Sequence, residues 1–184
     1  MASSSFDPTG AVRFDLRSGS ASDSRGERLV LVPSAALELL SEGALAKIGE
    51  HIGRECGGRV AARLGGENGV RSSDVETVIS HLAGELAVAG IGAVHVERWG
   101  RALLVVVSNP SITDDAFVGA VLGAAMSAAS GRGVAAAPLG RDSGGAGEAR
   151  YFLGTPGTAE RVRGLVSQGK GYADIVAALQ GGAS

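Results

Sequence analysis

The chain predicts an α+β fold: an antiparallel sheet built from hairpins, with helices packed on it. Three observations predict it. Strand-like runs come in pairs joined by turn or loop sequence, which is the pattern of hairpins and not of parallel crossovers. Segments with apolar residues at helical spacing lie between the pairs. The composition, 45% hydrophobic and 20% charged over 184 residues, is that of an ordinary globular chain of about one domain.

Taken in order, residues 1–10 are small and polar, end in the turn-like Asp7-Pro8-Thr9-Gly10, and are expected to be disordered. Val12 to Leu16 alternates apolar and polar residues, and Arg28 to Val32 is an apolar run, so a long hairpin around the loop-like Ser18 to Gly26 is expected. Pro33 stops the second strand, and Ser34 can cap a long helix running to Leu64, with a break near Gly43. Gly65 to Gly69 reads as a connector. Ser73-Asp74-Val75-Glu76 reads as a capping box that opens a helix carrying Val75, Val78, Ile79, Leu82 and Leu86 on its apolar face. Gly92 to Arg98 and Ala102 to Val107 form a hairpin about Trp99-Gly100-Arg101. Thr113-Asp114-Asp115 starts a third helix, with Phe117, Val118, Val121 and Leu122 on its apolar side and Gly131 as its stop. A second hairpin joins Val134–Leu139 to Ala149–Leu153 through Gly140 to Gly147. Thr158 then caps a helix to Val166, and Gly169-Lys170-Gly171 separates it from a last one to Leu179. The domain is expected over 11–154, with a C-terminal helical extension over 155–184.

Charge and composition exclude several functions. Charges of both signs are interspersed and the net charge is −2, so there is no electrostatic footprint for nucleic acid. The longest uncharged stretch, Ala116 to Gly131, is too short for a membrane span. Cys56 is the only cysteine, and the first residues lack an apolar secretory core, so a reducing, cytoplasmic location is expected.

No chemical motif survives inspection. There is no phosphate-binding GxxxxGK[ST] string, no GxGxxG, no GxSxG and no HExxH. His51, His81 and His95 are scattered, Cys56 falls on the apolar line of a helix, and Asp114-Asp115 suits a helix start. No catalytic residue, metal ligand or cofactor is therefore expected, and an enzyme would need a polar cluster that the linear sequence hides.

What does stand out is Gly49, Gly53 and Gly57, spaced four apart in the long helix. Each glycine costs a helix roughly 0.5–1 kcal/mol relative to alanine, so a close backbone approach should offset the stripe. The approach could come from another helix of this chain or from a second chain. Arg98, Trp99 and Arg101 at a hairpin tip form the most interaction-like surface, Trp and Arg being favoured anchors. Arg132, Arg141 and Arg150 could gather near the second hairpin and hold an anion, though solvated strand charges are the simpler reading.

The run Lys47-Ile48-Gly49-Glu50-His51-Ile52-Gly53-Arg54-Glu55-Cys56-Gly57, the strand Ile91 to Arg98, the small-residue helix Phe117 to Gly131 and the strand Ala149 to Leu153 together resemble the vinyl-reductase-type domain. That resemblance, over about Ser34 to Gly154, implies a fold shared with small vesicle-tethering-complex subunits and related to haem nitric-oxide-binding-like domains. It also implies homodimers that bind small hydrophobic molecules or partner proteins, often in bacterial signalling or assembly. The Tyr-x-Ser-x-Arg haem-propionate motif is absent, as is the cysteine region near the last hairpin, so no ligand residue carries over. Two functional readings follow: a dimeric module for an unidentified protein partner, and a sensor of a small hydrophobic ligand with an apolar pocket lined by Leu82, Leu86, Val121 and Leu122.

Overall fold

The computed structural model of the chain describes residues 6–99, 102–141 and 147–181. Two antiparallel sheets organise it. The first is a small meander of β1 (Val12–Asp15), β2 (Ser20–Asp23) and β3 (Arg28–Leu29), in that spatial order. The second contains β4 (Ala93–Trp99), β5 (Ala102–Ser108), β6 (Ala135–Arg141) and β7 (Ala149–Gly154), in the order β4-β5-β7-β6. The α+β class, with antiparallel sheets and helices packed on them, is the architecture observed.

The helices are α1 (Ser34–Leu37), α2 (Glu42–Arg63), α3 (Gly66–Ser72), α4 (Val75–Val88), α5 (Asp115–Ser130), α6 (Pro156–Ser167) and α7 (Tyr172–Gly181). Side chains of β5 and β7 alternate between two cores. Val105, Val107, Ala149, Tyr151 and Leu153 face the main core under α2, α4 and α5. Leu104 and Phe152 face the other way, onto Ala159, Val162 and Ile175 of α6 and α7. The segment expected as an extension thus closes the second face of the sheet. None of the described helices is long and apolar enough to cross a membrane.

Several local expectations are corrected. Of residues 1–10, residues 1–5 lie outside the described residues, but Phe6 is ordered: its ring sits where a Cβ on Gly84 would be, edge-on to His81 and under the Arg63 guanidinium at 5.0 Å. The Ser18–Gly26 loop contains β2, because Ser20–Asp23 finds partners on both sides despite a sequence poor in strand formers. The long helix breaks at Glu38–Ser41 and not at Gly43: Leu40 N–H closes a turn on the Leu37 carbonyl and Ser41 is extended. Gly66–Ser72 is a helix instead of a connector. The caps of α4 and α6 are Asp74, which accepts from Thr77 N–H at 2.6 Å, and Thr155, which accepts from Thr158 N–H at 3.3 Å.

Candidate functional site

The glycine stripe is a seam within the chain. A Cβ on Gly49 would stand 2.8 Å from the Phe117 carbonyl oxygen; on Gly53 it would meet the Ala124 Cβ at 2.9 Å and the Ala125 nitrogen at 3.0 Å; on Gly57 it would meet the Ala128 Cβ at 2.9 Å. Helix α5 thus rests on bare α2 backbone, its alanines seated over the three glycines. The same glycines cannot form a seam between chains, because α5 already fills their open side.

With α2 on one flank and β6 on the other, α5 has an outward face of only small residues. Ala116, Gly119, Ala120, Gly123, Ala124 and Ser127 floor a groove of about 870 Å³. Glu50 and Arg54 of α2 form one wall, and β6 forms the other with Val134 and Pro138. Arg163 of α6 reaches round the β6 edge to donate to the Ala136 carbonyl at 3.1 Å. Asp115 closes one end. It accepts hydrogen bonds from the Arg141 guanidinium at 2.6 Å and from the buried Tyr151 hydroxyl at 2.8 Å. Burial, with the carboxylate beside it, pushes the Tyr151 phenol far above its ordinary range, so it serves here as a fixed donor.

The opposite flank of α2 carries a buried charge cluster. Glu85, 2% exposed, lies between Arg59 at 2.6 Å and Arg63 at 2.9 Å. Asp23 at the end of β2 is reached by Arg59 at 3.7 Å and Arg25 at 3.3 Å, and Arg25 goes on to Glu27 and Glu55. Burial pushes the Asp23 carboxyl up, but hydrogen bonds from the Glu27 and Arg25 backbone N–H groups and the Arg25 side chain hold it below the ordinary value. Cys56 lies within this cluster, its thiol pushed up to about 11 by burial despite Arg59 at 3.4 Å, so that it stays protonated at neutral pH. The cluster fastens the meander to α2 and α4.

The sequence-predicted residues are therefore dispersed. Leu82, Leu86, Val121 and Leu122 are buried in the main core and do not line the α5 groove. Arg98 is exposed and paired with Glu76 at 3.1 Å, while the Trp99 side chain and all of Arg101 lie outside the described residues. Arg141 and Arg150 are in separate ion pairs, with Asp115 and with Glu97 and Glu148, so they do not gather into an anion site. His51 and His95 are exposed. Sequence reasoning passed over the charge cluster, although Glu85 beside Leu86 on an apolar stripe, and Arg59 with Arg63 one turn apart, were its signal. It also passed over the groove, whose signal was the absence of any side chain larger than serine along the outward face of α5 from Ala116 to Ser127.

No protein-family model matches the chain, and no curated sequence is significantly similar to it. Among solved structures, the phenol-responsive sensory domain of the transcription activator PoxR, crystallised with phenol, shares the fold. The TM-score is 0.56 at 15% identity, covering 78% of this chain and 84% of that one.

Proposed function

We propose that this chain is a non-enzymatic sensory domain that responds to a small hydrophobic molecule. One observation carries the reading: over most of both chains the fold matches that of a phenol-responsive domain. The α5 groove supports it, because a floor of Gly and Ala bordered by Asp115, Arg54 and Arg163 has the composition of a small-molecule site, mostly apolar with a few polar groups to orient a ligand.

Native mass spectrometry of protein purified from its source cells tests for a retained adduct, and amide NMR titration with phenol and alkylphenols tests for the site. Gly119→Leu is the informative variant, since the nearest atom to an added Cβ is the Ala136 carbonyl oxygen at 3.9 Å and the new side chain enters the groove. Saturable shifts along α5 and β6 that the variant abolishes are expected. Absence of shifts, or shifts that the variant leaves intact, would refute the groove as the site.

The second reading is a homodimeric module for protein-protein interaction in a bacterial signalling or assembly system, akin to the vinyl-reductase-type domain and cytoplasmic. It is favoured by the large uncovered apolar side chains concentrated between Phe14 and Leu40.

A further inference from the structure

The α5 groove has a direction as well as a volume. Between Asp115 at one end and Ser127 at the other, its floor follows the helix for about 18 Å, at a rise of about 1.5 Å per residue. Bare backbone faces it at Gly119, where an added Cβ would meet nothing nearer than the Ala136 carbonyl oxygen at 3.9 Å, so a flat apolar body can lie directly against the helix. Among the described lining residues the charges balance, Glu50 and Asp115 against Arg54 and Arg163. Both arginines already have acceptors: Arg54 has the Glu50 carboxylate at 3.6 Å, and Arg163 has the Glu160 carboxylate at 2.6 Å and the Ala136 carbonyl at 3.1 Å. Asp115 differs. Its Oδ1 takes both the Arg141 guanidinium at 2.6 Å and the Tyr151 hydroxyl at 2.8 Å, whereas no described residue donates to its Oδ2, on a side chain that is 40% exposed.

We infer that the groove takes an uncharged amphiphile whose hydroxyl donates to Asp115 Oδ2 and whose apolar body lies along α5 toward Ser127. The inference rests on the sensory reading above and names its ligand class and the residue that selects it. A carboxylate accepts hydrogen bonds and cannot donate one, so a ligand that presents only an acceptor, such as an ether or a ketone, gains nothing at this end. Arg141 at 2.6 Å already balances the Asp115 charge, so an ammonium head would trade one cation for another. An anionic head would meet Asp115 at the end of the groove and Glu50 along its wall, with both arginines engaged elsewhere. A neutral hydroxyl escapes all three penalties. Arg141 and Tyr151 hold the carboxylate in place before any ligand arrives, which lowers the cost of ordering the site. A single ring would cover only part of the floor, so a ring carrying an alkyl chain fits better than a bare phenol.

Amide NMR titration of the full chain with a matched set tests this: para-propylphenol, its methyl ether, para-propylbenzoate and para-propylbenzylamine, at neutral pH. The phenol should bind at least about tenfold more tightly than each of the others, the value of one hydrogen bond to a charged acceptor, with shifts running from Asp115 to Gly123. Asp115→Asn presents an amide that both accepts and donates, so it should bring the phenol and the ether within about twofold of each other while the shifts along α5 persist. The wild-type comparison stands even if the variant fails to fold. Equal affinity of the wild type for phenol and ether, tighter binding of the benzoate or the amine, or a preference that Asp115→Asn leaves unchanged would overturn Asp115 as the selecting group and leave the groove as the site. Binding of none of the four, or shifts that avoid α5, would overturn the groove as well.

Discussion

A single methyl group added at Gly53 should loosen the fold, whereas the same methyl group at Gly58 on the same helix should tighten it. Gly53→Ala places a Cβ 2.9 Å from the Ala124 Cβ and 3.0 Å from the Ala125 nitrogen, with the Val121 carbonyl oxygen closer still; two of these three atoms are backbone and cannot rotate away. Either α2 or α5 must retreat, and overpacking of this kind costs about 1–3 kcal/mol. Replacing glycine by alanine in a helix returns roughly 0.5–1 kcal/mol, so a net loss of about 1–2 kcal/mol is expected. Gly58 has no atom within 4 Å of an added Cβ. Gly58→Ala should therefore show only the propensity gain of roughly 0.5–1 kcal/mol. The two variants should differ by about 1.5–3 kcal/mol, which for a chain of this size is about 3–12 °C in melting temperature. Urea and thermal melts followed by far-ultraviolet circular dichroism would measure the difference. Equal stability of the two, or Gly53→Ala the more stable, would show that the stripe is not a tight seam.

The charge cluster and the Tyr151 bond give three further expectations. Arg59→Met should cost about 2–4 kcal/mol by stranding the buried Glu85 with Arg63 alone, and Arg59→Met with Glu85→Leu should recover most of it; urea melts of the single and double variants would show the pattern. Asp23, whose folded pKa is depressed, contributes stability that is complete above its unfolded value of about 3.9 and is lost as pH falls through the folded value. Wild type and Asp23→Asn should thus differ by a constant amount from pH 7 to 5 and converge in acid, as melts across that range would record, with Arg25, Arg59, Glu27, Glu55 and Glu85 being the charged groups around the site. Of the two tyrosines, Tyr151 should not ionise in alkaline spectrophotometric titration until the protein unfolds, because its folded phenol is raised; Tyr151→Phe should remove that late phase and cost about 1 kcal/mol.

The elements whose signals are local were legible. Periodicity found α4 and α5, alternation found β4, the hairpin turn after it found β5, and the glycine spacing announced a close crossing whose partner it could not name. The partner was not legible because small residues on α5 are equally consistent with a floor, a seam or a buried core. Strand β2 was invisible for a related reason: Ser20 to Asp23 is extended because β1 and β3 hold it, and nothing in its own side chains demands it. The placement of β7 between β5 and β6 depends on pairing across distant sequence, which no local pattern records. Leu82, Leu86, Val121 and Leu122 were legible as buried, but an apolar face tells of burial without telling whether the burial holds a pocket. The α5 groove, by contrast, lies where the side chains are smallest.

The bare contact between α2 and α5 also sets how motion travels. Where helices meet through long side chains, rotamer changes can absorb a small displacement of one helix before the other feels it. At Gly53 and Gly57 no side chain intervenes on the α2 side, so a shift of a few tenths of an ångström in α5 is delivered to the α2 backbone undamped. Helix α2 carries Arg59 on its other flank, and Arg59 touches both Glu85 and Asp23. The floor of the groove and the root of the N-terminal meander are thus joined by one stiff rod, and whatever moves the first has a short mechanical path to the second.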